Sequence, residues 1–371
     1  MNVRYCVGLL ALIISPSNLA AESFYVFAPN KAQKKLMRVA VHETTDGIGI
    51  EQLESLSLPL APASIAVDHD QERLVVSAGG KDQPPVATIE ILSGGELRVL
   101  YSSTLQHPSG YSSVDRTGKF ILTANYVSGK VTVYPIDAKG SIGRATCSLT
   151  TPNKEAHCIL TTRDNRFVYI PCVKNNNALF QYAFDDKTGE LKPLTPFDAE
   201  PPAMFGPRHI AYHPTLPIAY FSNEQQLGVS LFRIGSDGQL SDIQHAVTMP
   251  RRSPFEQGKR DLHASDLVVT NDGIRLFVAV RDFNGDEDSV FSFRIEADGT
   301  LSLIARTKVG DIPWKLDLSP NGKFLLVSES FDQRLAIYEI QGDGKLTAAA
   351  NVDWNAEVRD MVVIASPPNT R

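Results

Sequence analysis

One outline recurs along this chain. It runs as a short strand, a turn built from Asp, Asn, Gly or Pro, a second strand, a loop, a third alternating strand, another turn and a fourth strand. The clearest copy is GPRHIAYHPTLPIAYFSNEQQLGVSLFRIGSDGQL, residues 206–240. Other copies cover residues 62–105, 109–149, 155–194, 263–309 and 312–352. Self-similarity at a period of about 40–55 residues limits the chain to folds that stack supersecondary units. Thr117-Gly118, Asp272-Gly273 and Asn321-Gly322 stand between first and second strands, and Asp237-Gly238, Asp298-Gly299 and Asp343-Gly344 between third and fourth. Such pairs accept the positive φ that tight hairpins need. No long stretch of 3.6-residue period competes with the strands, so helix content is expected to be low.

An open fan of such units would expose sheet edges, and a closed ring removes them. The two ends of the chain supply the closure. FYVFAP, KKLMRVAVHE and EQLESLSL match the second, third and fourth strands of a unit that lacks its first, and VRDMVVIA (358–365) is a spare first strand. The expected fold is therefore all-β. It is a seven-bladed β-propeller of four-stranded antiparallel blades, closed by N- and C-terminal strands sharing one blade, with six blades as the alternative. A chain of 371 residues is long for one domain, but a ring grows by adding units around an axis.

Residues 1–21 have the form of a leader. Arg4 is followed by the apolar run CVGLLALII and then by small residues ending at Ala20-Ala21. A run this short does not span a bilayer, which needs roughly 20 apolar residues, and it suits a cleaved secretory signal. The expectation is a mature domain over 22–371 that is periplasmic or secreted and not membrane-bound after cleavage; an uncleaved leader is the alternative. The formal charge of −6 gives no support to nucleic-acid binding. Beyond Cys6 in the leader, Cys147, Cys158 and Cys172 show no metal-type spacing. Cys158 and Cys172 flank the Asp164-Asn165 turn and could face each other on paired strands, as a disulfide or as two buried thiols; free thiols are expected.

In a blade the first strand lines the channel, and the second runs back to the same face. Aligning the units on their turns gives two rings of equivalent positions. The first holds Ala63, Gly110, His157, Arg208, Ser265 and Trp314. The second holds Gly79, Asn125-Tyr126, Cys172-Val173, Asn223-Glu224, Val280-Arg281 and Glu329-Ser330. The polar members converge on one mouth: His157, Arg208, Glu224 and Arg281 as candidate catalytic groups, with Asn125, His209, Asp266, Trp314 and Glu329 as candidate substrate contacts. A carboxylate beside an imidazole and two guanidiniums can transfer protons on an anionic or oxyanion-forming substrate. Each has a plainer alternative. Arg208 and Glu224 could be a solvated ion pair, and His157 a core histidine. His209 follows Arg208 directly and should point away from it, and Trp314 could stack on a ligand or plug the channel. The basic loop RRSPFEQGKRD (251–261) could overhang the mouth or stand in solvent. A hard cation would have to use Asn125, Asn223, Glu224 and Asp266, whose spacing does not favour it. G-x-S-x-G, P-loop and dinucleotide fingerprints are absent.

GPRH (206–209), SNE (222–224), ANY-x-SG-x-V-x-V-Y (124–134) and LSPNGKFLLV (318–327) resemble the seven-bladed propeller lactonase family, over nearly the whole mature chain. That family includes propeller-type 6-phosphogluconolactonases and carboxy-muconate lactonising enzymes. The resemblance implies a site of one His, two Arg and one Glu, which by motif position are His157, Arg208, Arg281 and Glu224. It points to a lactone hydrolase acting on a small-molecule lactone. Propellers often work as monomers, so a monomer is expected, and no cofactor or metal is expected. Arg208 and Arg281 would hold the carbonyl or an anion, Glu224 would act as general base and His157 as proton donor. A carboxy-muconate cycloisomerase and a non-enzymatic binding propeller are the alternatives. The chain departs from the pattern at Gly79-Gly80, at Trp314 in place of Pro-Arg, and at Glu329-Ser330 in place of Asn-Gln. These departures bear on which ring substituents fit. The expected export favours an unphosphorylated aldonolactone.

Overall fold

The computed structural model describes residues 23–44, 47–79, 82–152, 154–174, 176–248 and 261–366. The leader at 1–21 and all but the last residue of the basic loop at 251–261 lie outside the described residues. Within the described residues twenty-eight strands form seven four-stranded antiparallel sheets. Six blades run in chain order: β4–β7 (Ser64–Val67, Arg73–Ser77, Pro85–Ile91, Leu97–Thr104), β8–β11 (Tyr111–Val114, Phe120–Ala124, Lys130–Pro135, Cys147–Thr150), β12–β15 (Leu160–Thr161, Phe167–Cys172, Ala178–Phe184, Leu191–Asp198), β16–β19 (Pro207–Tyr212, Ile218–Asn223, Gly228–Ile234, Leu240–Val247), β20–β23 (Leu262–Val269, Arg275–Asp282, Ser289–Ile295, Leu301–Lys308) and β24–β27 (Pro313–Leu318, Phe324–Glu329, Arg334–Ile340, Leu346–Asp353). The seventh blade joins the ends as expected. β28 (Val362–Ala365) pairs with β1 (Ser23–Asn30), from Phe24 opposite Ala365 to Phe27 opposite Val362, and β2 (Lys35–Thr44) and β3 (Gly47–Ser57) complete it. Among the described residues the one helical element is a 3-10 turn, Ser93–Gly95, and no helix is long and apolar enough to cross a membrane.

The core follows from the strand alternation. Second and third strands are buried on both faces, as in FVYIPC of β13 and IAYFSN of β17, whereas fourth strands are largely exposed. Apolar side chains gather into seven clusters, one at each blade-to-blade interface. Polar stitches accompany them: the Tyr169 hydroxyl donates to the Gly238 carbonyl at 2.7 Å, and the Tyr220 hydroxyl to the Gly299 carbonyl at 2.9 Å. The recurrent Asp-Gly turn of one blade thus docks on the second strand of the blade before it. Cys147, Cys158 and Cys172 are free thiols. Cys172 lies opposite Ala156 and Ala178, not opposite Cys158, so the symmetric flanking of the turn does not bring the two sulfurs together.

Candidate active site

The channel mouth is shaped by an irregularity that alternation does not predict. In β16, Pro207 pairs with Asn223 and Ile210 with Phe221, three steps against two. The same shift falls between Ala264 and Leu267 of β20 and between Pro313 and Lys315 of β24. In the preceding blade, Ala156 bridges Cys172 while Leu160 pairs with Tyr169, four steps against three. A β-bulge puts two residues opposite one and re-aims their side chains. Four successive inner strands therefore offer an upper layer that includes His157, Arg208 and Trp314, and a lower one of Cys158, His209, Asp266 and Lys315. The Ser265 hydroxyl is turned aside, donating to the Pro313 carbonyl at 2.6 Å.

The upper layer opens on a cavity of about 220 Å³ whose walls include Tyr111, Tyr126, His157, Arg208, Trp314 and Arg359. His209 and Asp360 border both this cavity and a larger chamber of about 510 Å³ toward the other mouth, which Asp266, Lys315 and Asp317 also line.

Of the expected four groups, His157 and Arg208 stand on the cavity wall, and Glu224 and Arg281 lie off it, against Arg208. Arg208 Nε lies 3.0 Å from Glu224 Oε2, and Arg281 Nη2 lies 3.7 Å from the same oxygen. The rings of His157 and His209 are 5.1 Å apart. The ion cluster is not a solvated pair: Arg208, Arg281 and Glu224 are 1%, 3% and 7% exposed. Burial raises the Glu224 carboxyl, but the nearby His263 ring and the charges of Arg208 and Arg281 overcome it and hold the group well below the usual carboxylate range. Burial, with the Arg208 charge, brings Arg281 down to about 9. Burial and the Arg208 charge also hold His157 well below an ordinary imidazole, so it is neutral at pH 7. Its Nδ1 is buried and has no hydrogen-bond partner among the described residues. Trp314 neither plugs the channel alone nor stands free. The Arg281 and Arg359 guanidiniums lie 4.5 and 4.4 Å from its ring centre, and Arg208 lies at 5.9 Å.

His209 departs from its expected direction. It should face away from Arg208, yet the bulge turns it back so that Arg208 Nη1 donates to His209 Nε2 at 3.2 Å. Asp266 stands in the next blade and accepts from His209 Nδ1 at 2.7 Å. Asn125 and Glu329 lie outside the cluster. Asn125 Oδ1 accepts from the Ser128 amide and hydroxyl and closes the β9–β10 turn. Glu329 is fully buried, accepting from the Gly310 amide, the Tyr338 hydroxyl and Arg334. Glu329 ends β25 and Asn125 directly follows β9; by blade register both fall one place before the position that Glu224 and Arg281 occupy, so their side chains turn the other way. Asn223, Glu224 and Asp266 are likewise engaged with Ser230, Arg208 and Lys315. Among the described residues no three His, Cys, Asp or Glu side chains group to hold a metal.

Sequence reasoning missed His263, Lys315 and Arg359, and set Tyr126 in the second ring without giving it a role. His263 pairs across the strands with Arg281 and sets its Nδ1 3.4 Å from Glu224 Oε1 and its Nε2 2.7 Å from Asp261. A cross-strand register would have found it. Arg359 comes from the segment before β28, whose pattern marks the closing strand and carries no sign of a site.

Residues 19–362 match the family model described as lactonase, seven-bladed β-propeller. The 6-phosphogluconolactonase of Yersinia pestis (strain Pestoides F) is 24% identical over 330 residues, 88% of this chain and 93% of that protein. The protein of the same name from Cronobacter sakazakii is 26% identical over 238 residues, 64% of this chain and 68% of its own. Among solved structures, a periplasmic gluconolactonase of Pseudomonas aeruginosa superposes with a TM-score of 0.80 at 20% identity, covering 93% of this chain and all of that one. That last likeness is one of fold.

Proposed function

Because the chain belongs to the seven-bladed β-propeller lactonase family, we propose that it is a carboxylic-ester hydrolase that opens a small sugar-acid-type lactone by adding water. The observation that carries this reading is the buried Arg208–Glu224–Arg281 cluster set behind a neutral His157 on the wall of one cavity. Burying three charges is expensive in stability, and groups so placed are suited to stabilising an oxyanion in a dry site. Arg208, with Arg281 behind Trp314, would polarise the lactone carbonyl. Glu224 is clasped by His263 and both arginines, so it is a weak proton acceptor and serves better as their anchor than as the base expected from the sequence. His157, neutral and with one unpartnered nitrogen, would take a proton from the attacking water as the new C–O bond forms. It would return that proton to the ring oxygen as the old C–O bond breaks, leaving a hydroxy acid.

Residues 1–21 would direct export, and 22–371 would form the mature enzyme. An exported enzyme meets unphosphorylated sugars, so an aldonolactone is the favoured substrate. The test is proton release by the purified mature protein across phosphorylated, unphosphorylated and aliphatic lactones, with carboxy-muconate alongside. Hydrolysis of a sugar lactone supports the reading. Muconate turnover without hydrolysis would move the site to a cycloisomerase, and silence throughout would leave a binding propeller.

A further inference from the structure

The lower layer of the channel has no place in the reaction just described, yet its charged members form one chain across three blades. His209 of β16 donates from Nδ1 to Asp266 Oδ1 of β20 at 2.7 Å, and Asp266 Oδ2 meets Lys315 Nζ of β24 at 2.9 Å. The backbone amide of Leu316 donates to that same Oδ2 at 3.1 Å. The polarity of this chain is fixed by elimination. A guanidinium has no acceptor and an ionised carboxylate has no donor. His209 therefore carries its proton on Nδ1, toward Asp266, and its bare Nε2 accepts from Arg208 Nη1 at 3.2 Å. Asp266 and Arg208 are 3% and 1% exposed, so neither has solvent to substitute for the other's contact.

We propose that Asp266 and His209 form a positioning dyad that fixes the guanidinium of Arg208, with Lys315 and the Leu316 amide setting the dyad's polarity. Arg208 is gripped on both sides. Glu224 Oε2 stands 3.0 Å from Nε as an ion pair and His209 accepts from Nη1, so the guanidinium is contacted from two sides. Burial opposes the Asp266 charge, but Lys315 and His209 overcome it and hold the carboxyl well below its usual range. The three bulges are what allow this, because without the extra residue His209 and Asp266 would face away from the channel. The proposal rests on the hydrolase reading, since it names what holds that reaction's arginine.

The experiment compares His209→Gln, His209→Leu and Asp266→Asn. Glutamine can accept from Arg208 and donate to Asp266 without any proton chemistry, so His209→Gln keeps kcat on the best lactone within about threefold. Leucine cannot, and a guanidinium that shifts by about 1 Å lowers kcat roughly 10²-fold while KM changes little. In Asp266→Asn the side chain has a single oxygen, and two donors, Lys315 Nζ and the Leu316 amide, claim it. Its NH2 then faces His209, which must carry its proton on Nε2 and oppose Arg208. Nitrogen-15 NMR of the resting protein should show that tautomer switch, and kcat should fall as in His209→Leu. His209→Gln as slow as His209→Leu would overturn the proposal, because imidazole proton chemistry would then be required. So would Asp266→Asn with the His209 proton still on Nδ1. If Asp266→Asn does not fold, the two His209 variants decide. If the wild type opens no lactone, the hydrolase reading fails on its own, and the tautomer measured in Asp266→Asn still decides whether Asp266 orients His209.

Discussion

Glu224 illustrates how far a residue's role depends on its neighbours. From the sequence it is a carboxylate beside an imidazole, which suggests a general base. In the folded chain two arginines and His263 hold it. Glu224→Gln should therefore do two things at once. It leaves two buried guanidiniums without their shared counter-ion, which costs about 3–5 kcal/mol and should lower the midpoint of thermal unfolding. It also loosens the arginines, so kcat falls by about 10²-fold. A variant with wild-type stability and turnover would show that the cluster is neither structural nor functional. His157 sets the acid side of the pH profile. Burial and the Arg208 charge hold it well below an ordinary imidazole, so it stays neutral and able to take a proton as pH falls through about 6.5. After subtraction of spontaneous hydrolysis, kcat should be level across that range. A loss of rate centred near about pH 6.5 would contradict this.

At the scale of the element, strands and turns were legible because each blade repeats the same chemistry. Dyad alternation marks the strands, and Asp-Gly or Asn-Gly marks the hairpins. What stayed hidden were the bulges. An extra residue in an inner strand changes no propensity and leaves no turn signal, yet it reverses the facing of everything on one side of it. Register alone therefore sets Arg208 and Trp314 on the cavity wall, where they lie, but turns His209 away from Arg208, which it meets. Asn125 and Glu329 were misplaced for a related reason: one step along a strand end exchanges channel for core. The turns carry more than chain reversal. Gly238 has φ +84°, and a Cβ there would stand 2.2 Å from the Phe167 ring of the preceding blade. Gly238→Ala combines left-handed strain with overpacking at a blade interface, and should destabilise by about 2 kcal/mol or more. Denaturant unfolding measures it, and a loss below about 0.5 kcal/mol would show that the turn can lift away.

The whole molecule is a ring held by seven apolar interfaces, and one of its blades depends on both chain ends. β28 pairs with β1, and its Val362 and Ile364 pack against the next blade. Ending the chain after Met361 would expose the edge of β1 and open the clusters on both of its sides. The expected outcome is loss of a single cooperative transition and aggregation at temperatures where the full chain is soluble. Unchanged cooperative unfolding would mean that six blades and a partial seventh suffice. Closure was readable from the sequence because a missing first strand at one end and a spare one at the other are countable. The site was readable only in outline. Its four principal side chains follow from strand register, whereas the contacts that orient them cross between blades far apart in sequence, as with His209 and Asp266.

The account turns on His157 moving the proton in a cavity where Arg208 polarises the carbonyl. The most direct measurement is proton release from gluconolactone by the wild type and by His157→Gln, with thermal unfolding recorded for both. His157 lies on the cavity wall and makes no ion pair, so the variant should keep its unfolding midpoint and its KM while kcat falls by about 10²-fold or more. His157→Gln turning over at the wild-type rate would contradict the account.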